Sequence, residues 1–217
     1  MKIISFGDSF TFGSGLDDSK DQLNVSKYAY PQQLANMLDV ECLNYALPGG
    51  SNKEIVFKIL SSEITKDDIV TIMWTHHHRN VILRKDLSTL GDALGDKIGA
   101  WLINNASVNQ IEHKDTYTLK RIATAYYKYV HDDYDSINVS WLYIDYANRF
   151  LQEKAKQVIH CIIPDVYEFN TKIPNWSSII NFHRFHQYWE ENPRTLCNHA
   201  GPEAHKKFAK HLAKLIA

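Results

Sequence analysis

The sequence has little that would mark a membrane protein or a nucleic-acid-binding protein. Its longest apolar runs reach about seven residues, far below the roughly 20 needed to span a bilayer. The 24 Lys and Arg residues nearly balance the 25 Asp and Glu residues, so the formal net charge is only −1. A chain this close to neutral is not drawn electrostatically to nucleic acid or to anionic lipid. We therefore expect neither a membrane nor nucleic acid as a partner.

Cysteine is also scarce. The three cysteines, Cys42, Cys161 and Cys197, are odd in number and widely spaced, which does not suggest a disulfide framework. Cys42 and Cys161 lie in apolar, strand-like runs, as is typical of reduced thiols in a core. The first residues are themselves strand-like and do not resemble a targeting leader. These features favour a cytoplasmic protein.

No repeat, low-complexity stretch or linker divides the 217 residues. The hydrophobic fraction of 44% and the charged fraction of 23% are those of an ordinary globular protein. This length suits one domain with a full core. We therefore predict a single domain over residues 1–217.

Short apolar runs alternate with amphipathic stretches. Buried strands are predicted at residues 2–6, 40–44, 69–74 and 158–163. Helices are predicted at residues 27–38, 51–64 and 202–216, the second opening with a Ser51-x-x-Glu54 capping box. Apolar strands that alternate with helices indicate a parallel sheet covered on both faces. The predicted fold is α/β, a three-layer α/β/α sandwich with a flavodoxin-like parallel sheet.

The middle of the chain departs from this alternation. Residues 80–112 are polar and weakly periodic, whereas about 115–154 predict two helices broken near residues 132–135. We predict that about 80–154 form a helical insertion that acts as a lid or cap. The alternative is a longer helical layer with no role in the site.

Polar loops follow three of the predicted strands and precede the last helix. In an open parallel sheet, ligands bind at the carboxyl ends of the strands, so these loops should meet at one edge. They read Gly7-Asp8-Ser9, then NYALPGGSN at 44–52, then WTHHHR at 74–79, and finally NHAGPEAH at 198–205.

FGDSFTFG, which contains Ser9, resembles the first motif of the SGNH (GDSL-type) hydrolases. NYALPGGSN is similar to that family's second motif, and NHAGPEAHKKFAKHL is similar to its last. The resemblance covers about half of the chain and implies an SGNH hydrolase fold. It also implies that Ser9 is the nucleophile, that His199 is the general base, and that the backbone amides of Ser9 and Gly49 form an oxyanion hole.

Two positions depart from the family pattern. His76 stands after the third strand where the family has an oxyanion-hole Asn, so we assign His76 as the third donor, with Thr75 next. Leu196 stands where the family has the Asp that orients the histidine. We expect a backbone carbonyl at 195–197 to hold His199 instead, with Asp165 as the alternative orienting acid.

These roles agree with elementary chemistry. A serine hydroxyl needs a base to take its proton, and histidine titrates near neutral pH. Ser9 could otherwise be a turn residue, and His199 a surface residue that caps the last helix. For His205 and His211 we expect packing or solvent exposure. Adjacent loop residues such as His76, His77 and His78 point in different directions, so we predict no metal site.

The sequence thus predicts a serine esterase that acts on a carboxylic ester, such as an acetyl group on a sugar or similar polar compound. No cofactor is implied, and the partner is a small-molecule or glycan ester. Two alternatives stay open, namely acyl transfer at the same site and a catalytically silent binding module. The sequence does not indicate an oligomeric state.

Overall fold

A computed structural model describes residues 1–19, 24–84, 99–103, 116–163 and 180–216. Five parallel strands form one sheet in the order β2-β1-β3-β6-β7. Their bounds are Lys2–Phe6 (β1), Glu41–Asn44 (β2), Ile69–Trp74 (β3), Gln157–Ile162 (β6) and Phe182–Arg184 (β7). The four predicted strands are therefore confirmed to within one residue at each end. The fifth strand, β7, was not predicted.

Helices lie between β1 and β2, between β2 and β3, between β3 and β6, and after β7. Their bounds are Ser9–Phe12 (α1), Tyr30–Leu38 (α2), Asn52–Ser61 (α3), Thr116–Tyr129 (α4), Asp133–Gln152 (α5), His186–Glu190 (α6) and Pro202–Ile216 (α7). Helix α3 begins as the capping-box signature predicts, because the Ser51 hydroxyl accepts the N–H of Glu54 at 3.3 Å. In α2, Pro31 occupies the first turn, where its missing N–H costs nothing.

The strand residues alternate between two apolar cores, one on each face of the sheet. On one face, residues such as Ile3 and Met73 pack with α2 and α7. On the other, residues such as Ile4 and Trp74 pack with α3 and the second half of α5. Helices therefore cover both faces, which confirms the predicted three-layer α/β/α sandwich.

The middle of the chain contains an antiparallel hairpin as well as helices. Strand β4 (Asn80–Arg84) pairs with β5 (Gly99–Ile103), and this pair was not predicted. In α5, Trp141 and Ile144 lie in the core beneath the sheet. That part of α5 belongs to the helical layer, which agrees with the alternative of a longer helical layer. A helical insertion over about 80–154 stays a prediction.

The strand order determines where a ligand can bind. Numbering only the sheet strands gives 2-1-3-4-5, the flavodoxin-like order, in which the chain reverses direction across the sheet between β1 and β3. The loops after those two strands diverge to opposite faces and leave a crevice at the carboxyl edge. Within the described part of the chain, no helix has the length and apolar character needed to cross a membrane.

Candidate active site

Ser9 lies at the start of α1, directly after β1, and only 7% of its surface is exposed. The Asp8 carboxylate caps this helix by accepting the N–H of Phe10 at 3.0 Å. Gly7 is required here because a Cβ atom would lie 2.2 Å from Thr11 Oγ1. The Gly-Asp-Ser turn thus holds the serine at the carboxyl edge of the sheet.

Asp8 also joins the first loop to the loop after β3. Its carboxylate is fully buried and accepts hydrogen bonds from Thr75 Oγ1 at 2.8 Å and from the Arg79 guanidinium at 2.5 Å. The same guanidinium nitrogen lies 2.8 Å from Thr75 Oγ1. The buried charge beside Ser9 is therefore neutralised by Arg79.

Asn52, the first residue of α3, fixes the same loop from the other side. Its side-chain Oδ1 accepts the N–H of Thr75 at 2.9 Å, and its Nδ2 donates to the Thr75 carbonyl at 3.1 Å. Asn52 is buried and also donates to Ser140 Oγ at 3.2 Å. Both donors of Thr75 are thus already used, so Thr75 is unsuited to the oxyanion role that was its alternative assignment.

The loop that carries Gly49 is tied to the Ser9 turn. The N–H of Leu47 donates to the Gly7 carbonyl at 3.0 Å, and Asn44 Nδ2 donates to the Thr11 carbonyl at 2.8 Å. Gly49 has φ of 75°, in the left-handed region that favours glycine. Among the described residues, the backbone N–H groups of Ser9 and Gly49 have no hydrogen-bond acceptor. Both amides are therefore available to a ligand.

His76 lies after β3 at the same edge, half-buried, with its ring centroid 5.2 Å from that of His78. A turn that closes from the N–H of Arg79 to the His76 carbonyl at 3.2 Å shapes this loop. The position agrees with the predicted edge. The role of His76 as the third oxyanion donor stays a prediction.

His199 reaches the site from the loop before α7. Its ring packs against the ring of Phe10, the residue after Ser9, with the centroids 5.2 Å apart. Burial lowers the pKa of His199, whereas the charge of Asp8 and a backbone hydrogen bond with Cys197 raise it, and Arg79 lowers it further. In the described part of the chain, Ser9 and His199 are neighbours of Phe10 but are not hydrogen-bonded to each other.

The group that orients His199 is not the residue at the family position. The Leu196 side chain is fully exposed, whereas Cys197 Sγ lies 3.2 Å from His199 Nδ1. Asp165, the alternative acid, lies outside the described residues. The sequence prediction considered the carbonyls of 195–197 but not the sulfur of Cys197.

Other histidines of the described ranges have structural contacts. His205 is buried and accepts the N–H of Tyr30 on Nδ1 at 3.2 Å, and His211 Nε2 lies 3.1 Å from His183 Nδ1. In the loop after β3, His77 Nε2 lies 3.3 Å from the exposed Asp133 carboxylate. Within the described ranges, no group of three His, Cys, Asp or Glu side chains is arranged to hold a metal ion.

Two residues with clear positioning roles, Asn52 and Arg79, escaped the sequence analysis. Asn52 is the last residue of the NYALPGGSN motif. Its two hydrogen bonds to the backbone of Thr75, 23 residues away, cannot be predicted from the local sequence. Arg79 contacts Asp8, which is 71 residues away in the sequence, and follows three histidines that were considered as candidate functional residues. Only the three-dimensional packing of the two loops reveals these contacts.

No protein-family model and no curated protein matches this sequence. Solved structures do match in fold. A member of the lipolytic protein G-D-S-L family from Veillonella parvula DSM 2008 is 12% identical with a TM-score of 0.52, and the match covers 99% of this chain and 97% of that one.

Two carbohydrate esterases are similar in fold over part of their length. An acetyl xylan esterase from the rumen bacterium Butyrivibrio proteoclasticus is 10% identical with a TM-score of 0.52, over 99% of this chain and 63% of that one. A carbohydrate esterase family 2 enzyme from Corynascus thermopiles (Myceliophthora fergusii) is 12% identical with a TM-score of 0.51, over 100% and 65%. The present chain spans less than two thirds of either esterase. With the sheet order and the motif positions described above, these matches establish that the chain has the SGNH (GDSL-type) hydrolase fold.

Proposed function

We propose that this chain is a serine esterase that hydrolyses a carboxylic ester through an acyl-enzyme on Ser9, with His199 as the general base. One observation carries the proposal. Ser9 stands at the crevice between β1 and β3, and within the described ranges the backbone amides of Ser9 and Gly49 have no acceptor. The next residue, Phe10, packs its ring on that of His199. Each component of acyl transfer has a candidate within this one edge of the sheet.

In the proposed first step, Ser9 Oγ attacks the ester carbonyl carbon while its proton passes to His199. The carbonyl oxygen becomes negative and accepts hydrogen bonds from the amides of Ser9 and Gly49, with His76 as the third donor. Such donors typically contribute roughly 100- to 1000-fold each to the rate. Collapse of the intermediate expels the alcohol, which takes the proton from His199.

In the second step, water replaces the alcohol. His199 accepts a proton from water, the oxygen attacks the acyl-enzyme carbonyl, and the acid product leaves as Ser9 regains its proton. Burial favours this role, because it lowers the pKa of His199 and keeps the imidazole neutral at pH 7. A neutral imidazole is the form that can accept a proton.

The proposed substrate is a small-molecule or glycan ester, such as an acetyl group on a sugar or similar polar compound. Support comes from the two esterases of similar fold, one described as an acetyl xylan esterase and the other as a carbohydrate esterase. Acyl transfer to an acceptor other than water would use the same residues.

Two observations favour a different class of function, a binding module without catalysis. Leu196 stands in place of the family Asp, and within the described residues Ser9 is not hydrogen-bonded to His199. Nucleophile and base are often loosely placed before a substrate binds, which is why we prefer the enzyme. A direct test of nucleophile reactivity separates the two.

The test is labelling with a fluorophosphonate probe, which reacts with activated serines. We expect one label per folded chain, on Ser9, lost in Ser9→Ala and retained in the matched control Ser14→Ala. A folded wild-type chain that takes up no label would contradict the proposal and support the binding module. A panel of p-nitrophenyl esters from acetate to decanoate, with and without alcohol acceptors, then identifies the acyl length and separates hydrolysis from transfer.

A further inference from the structure

Cys197 lies where a positioning group for His199 is needed. Its Sγ is 3.2 Å from His199 Nδ1, while Leu196, at the family position of the orienting acid, is fully exposed. Nδ1 is thus occupied by Cys197, and Nε2 is the ring nitrogen that remains for the proposed proton exchange with Ser9. Cys197, two positions before His199, thus makes the ring contact that the family pattern would assign to position 196.

A turn holds the sulfur in this position. Thr195 Oγ1 lies 3.3 Å from Cys197 Sγ and also accepts the N–H of His199 at 3.0 Å. The N–H of Thr195 donates in turn to the His199 carbonyl at 2.9 Å. Asn198, between Cys197 and His199, adopts φ of 63°, which asparagine tolerates better than most residues. The 195–199 loop is therefore closed on itself around the Cys–His contact.

The same turn is braced from outside. Trp189 Nε1 donates to the Asn198 carbonyl at 3.1 Å, and the Arg194 guanidinium donates to Asn198 Oδ1 at 3.0 Å. These contacts fix the backbone that carries both Cys197 and His199. The short Sγ–Nδ1 distance is thus a property of an ordered turn.

Gly15 provides the space for the sulfur. A Cβ atom on Gly15 would lie 2.3 Å from Cys197 Sγ and 2.8 Å from Thr195 Oγ1, and its φ of 82° also favours glycine. Any other residue at position 15 would push the sulfur or the hydroxyl aside. The glycine that follows the nucleophile turn is thereby linked to the histidine loop.

We propose that the Cys197 side chain replaces the missing carboxylate as the group that positions His199. This inference rests on the proposed function. The sulfur accepts the hydrogen on Nδ1, which leaves Nε2 unprotonated and directed at Ser9. A neutral thiol is a weak acceptor and a thiolate a better one. No covalent bond to sulfur forms, and the Ser9 proton moves to Nε2 while Nδ1 keeps its own.

A backbone hydrogen bond with Cys197 acts on the same ring. The experiment must therefore separate the side chain of Cys197 from its backbone, which remains in every variant. Cys197→Ala removes the sulfur alone, Cys197→Ser replaces it with an oxygen acceptor, and Cys197→Asp supplies the carboxylate. Cys42→Ala, which removes a half-buried thiol of the α2 face, is the matched control.

We expect Cys197→Ala to lose roughly 10- to 100-fold in kcat with little change in KM, less than the roughly 10⁴-fold loss when a triad carboxylate is replaced, because a thiol is the weaker acceptor. Cys197→Ser and Cys42→Ala should each stay within about fivefold of wild type. Cys197 is exposed, so the thermal midpoint of every variant at this position should stay near the wild-type value. An Ala variant with wild-type kcat would overturn the inference and leave the backbone as the sole partner.

A second readout needs no substrate. The pKa of His199 is followed by NMR, with its signal assigned by its loss in His199→Gln. A carboxylate facing Nδ1 stabilises the imidazolium, so Cys197→Asp should raise this pKa against the background set by Asp8 and Arg79. No rise would show that the side chain at 197 does not face the ring, which also overturns the inference.

The two proposals fail differently. If the wild-type chain takes up no fluorophosphonate on Ser9, the esterase proposal fails, whatever the His199 titration gives. If Ser9 is labelled and Cys197→Ala turns over at the wild-type rate, only the role of Cys197 fails.

Discussion

The Arg79 guanidinium donates a hydrogen bond to Oδ2 of Asp8, the residue directly before Ser9. The Asp8 side chain is fully buried and that of Arg79 is 16% exposed, so this ion pair lies almost wholly out of water. It joins the first loop of the site to the third. The position of Ser9 therefore depends on a residue that carries no chemistry in the proposed reaction.

Arg79→Met should destabilise the fold by about 3–5 kcal/mol, because it leaves the buried Asp8 carboxylate without its cation. Urea unfolding at pH 7 measures this loss. Arg149→Met is the control, since the Arg149–Asp145 pair lies within α5 and the Arg149 side chain is 65% exposed. Because Arg149 is largely solvated, removing it should cost clearly less than removing Arg79, whose side chain is 16% exposed. Equal losses in the two variants would contradict the buried role of Arg79.

Ser9→Ala should abolish ester hydrolysis while leaving the thermal midpoint nearly unchanged. Ser9 Oγ makes no hydrogen bond within the described residues, so its removal costs the fold little. Loss of a nucleophile typically lowers kcat by several orders of magnitude. Steady-state kinetics on the best p-nitrophenyl ester provides the measurement. Activity above about a tenth of wild type would exclude Ser9 as the covalent nucleophile.

His76→Ala should lower kcat by roughly 10- to 1000-fold, and His76→Asn should keep substantial activity. Both expectations follow if His76 donates to the oxyanion in place of the family Asn. The comparison of kcat for the two variants is the test, with His211→Ala, in the second half of α7, as the control. An unimpaired Ala variant would remove His76 from the mechanism. Since the donors of Thr75 are already used, it would leave two backbone donors.

Asp165→Asn separates a charged orienting acid from a neutral partner. If Asp165 held His199, its Asn variant should lose roughly 10⁴-fold in kcat/KM, as when the acid of a triad is replaced. We expect a loss below about tenfold, because Cys197 already contacts Nδ1. The measurement is kcat/KM against pH for both proteins. A large loss with intact folding would establish Asp165 as the acid.

Two buried histidines, His160 and His205, should make the fold sensitive to acid. Burial lowers the pKa of His160 to about 4 and that of His205 to about 3, whereas the unfolded chain has values near 6.5. Between these values the unfolded state binds protons that the folded state does not. The stability contributed by neutral burial is therefore complete above about pH 6.5 and is lost as the pH falls toward 4 and then 3.

Urea unfolding between pH 7 and 4.5 measures this loss. His205→Gln can still accept the N–H of Tyr30 but cannot titrate, so its free energy of unfolding should fall less steeply. The difference in slope should approach about 1.4 kcal/mol per pH unit, the value for one proton. Identical slopes for wild type and variant would show that His205 does not contribute.

Four strands of the parallel sheet could be predicted from the sequence, but the outer strand β7 and the separate hairpin β4–β5 could not. Strands such as Ile69–Trp74 are almost wholly apolar because helices cover both faces of the sheet, and such a run can be recognised in the sequence alone. Strand β7 has only three residues, Phe182–Arg184, too few to form a pattern. The hairpin strands β4 (NVILR) and β5 (GAWLI) are short apolar runs within a segment that is otherwise polar and weakly periodic.

The positions of the candidate site residues were predictable where a motif specifies them, and not where contacts between loops determine them. Ser9, Gly49 and His199 follow from local motifs, and their positions at one edge follow from a parallel sheet. The Arg79–Asp8 pair depends on how two loops fold over each other, as does the Cys197 contact on its turn. Such contacts join residues whose proximity no propensity or spacing encodes.

The double hydrogen bond of Asn52 has a mechanical consequence. A carboxamide presents the same donor and acceptor as a peptide group. The Asn52 side chain therefore forms the two hydrogen bonds with the Thr75 backbone that a neighbouring strand would form. The pairing of β3 is thereby extended by one residue, Thr75, whose partner is a side chain of α3 instead of another strand. The base of the His76 loop is therefore tied directly to the start of α3. Because Gly49 lies only three residues before Asn52, the Gly49 loop and the His76 loop are both anchored at the same helix end.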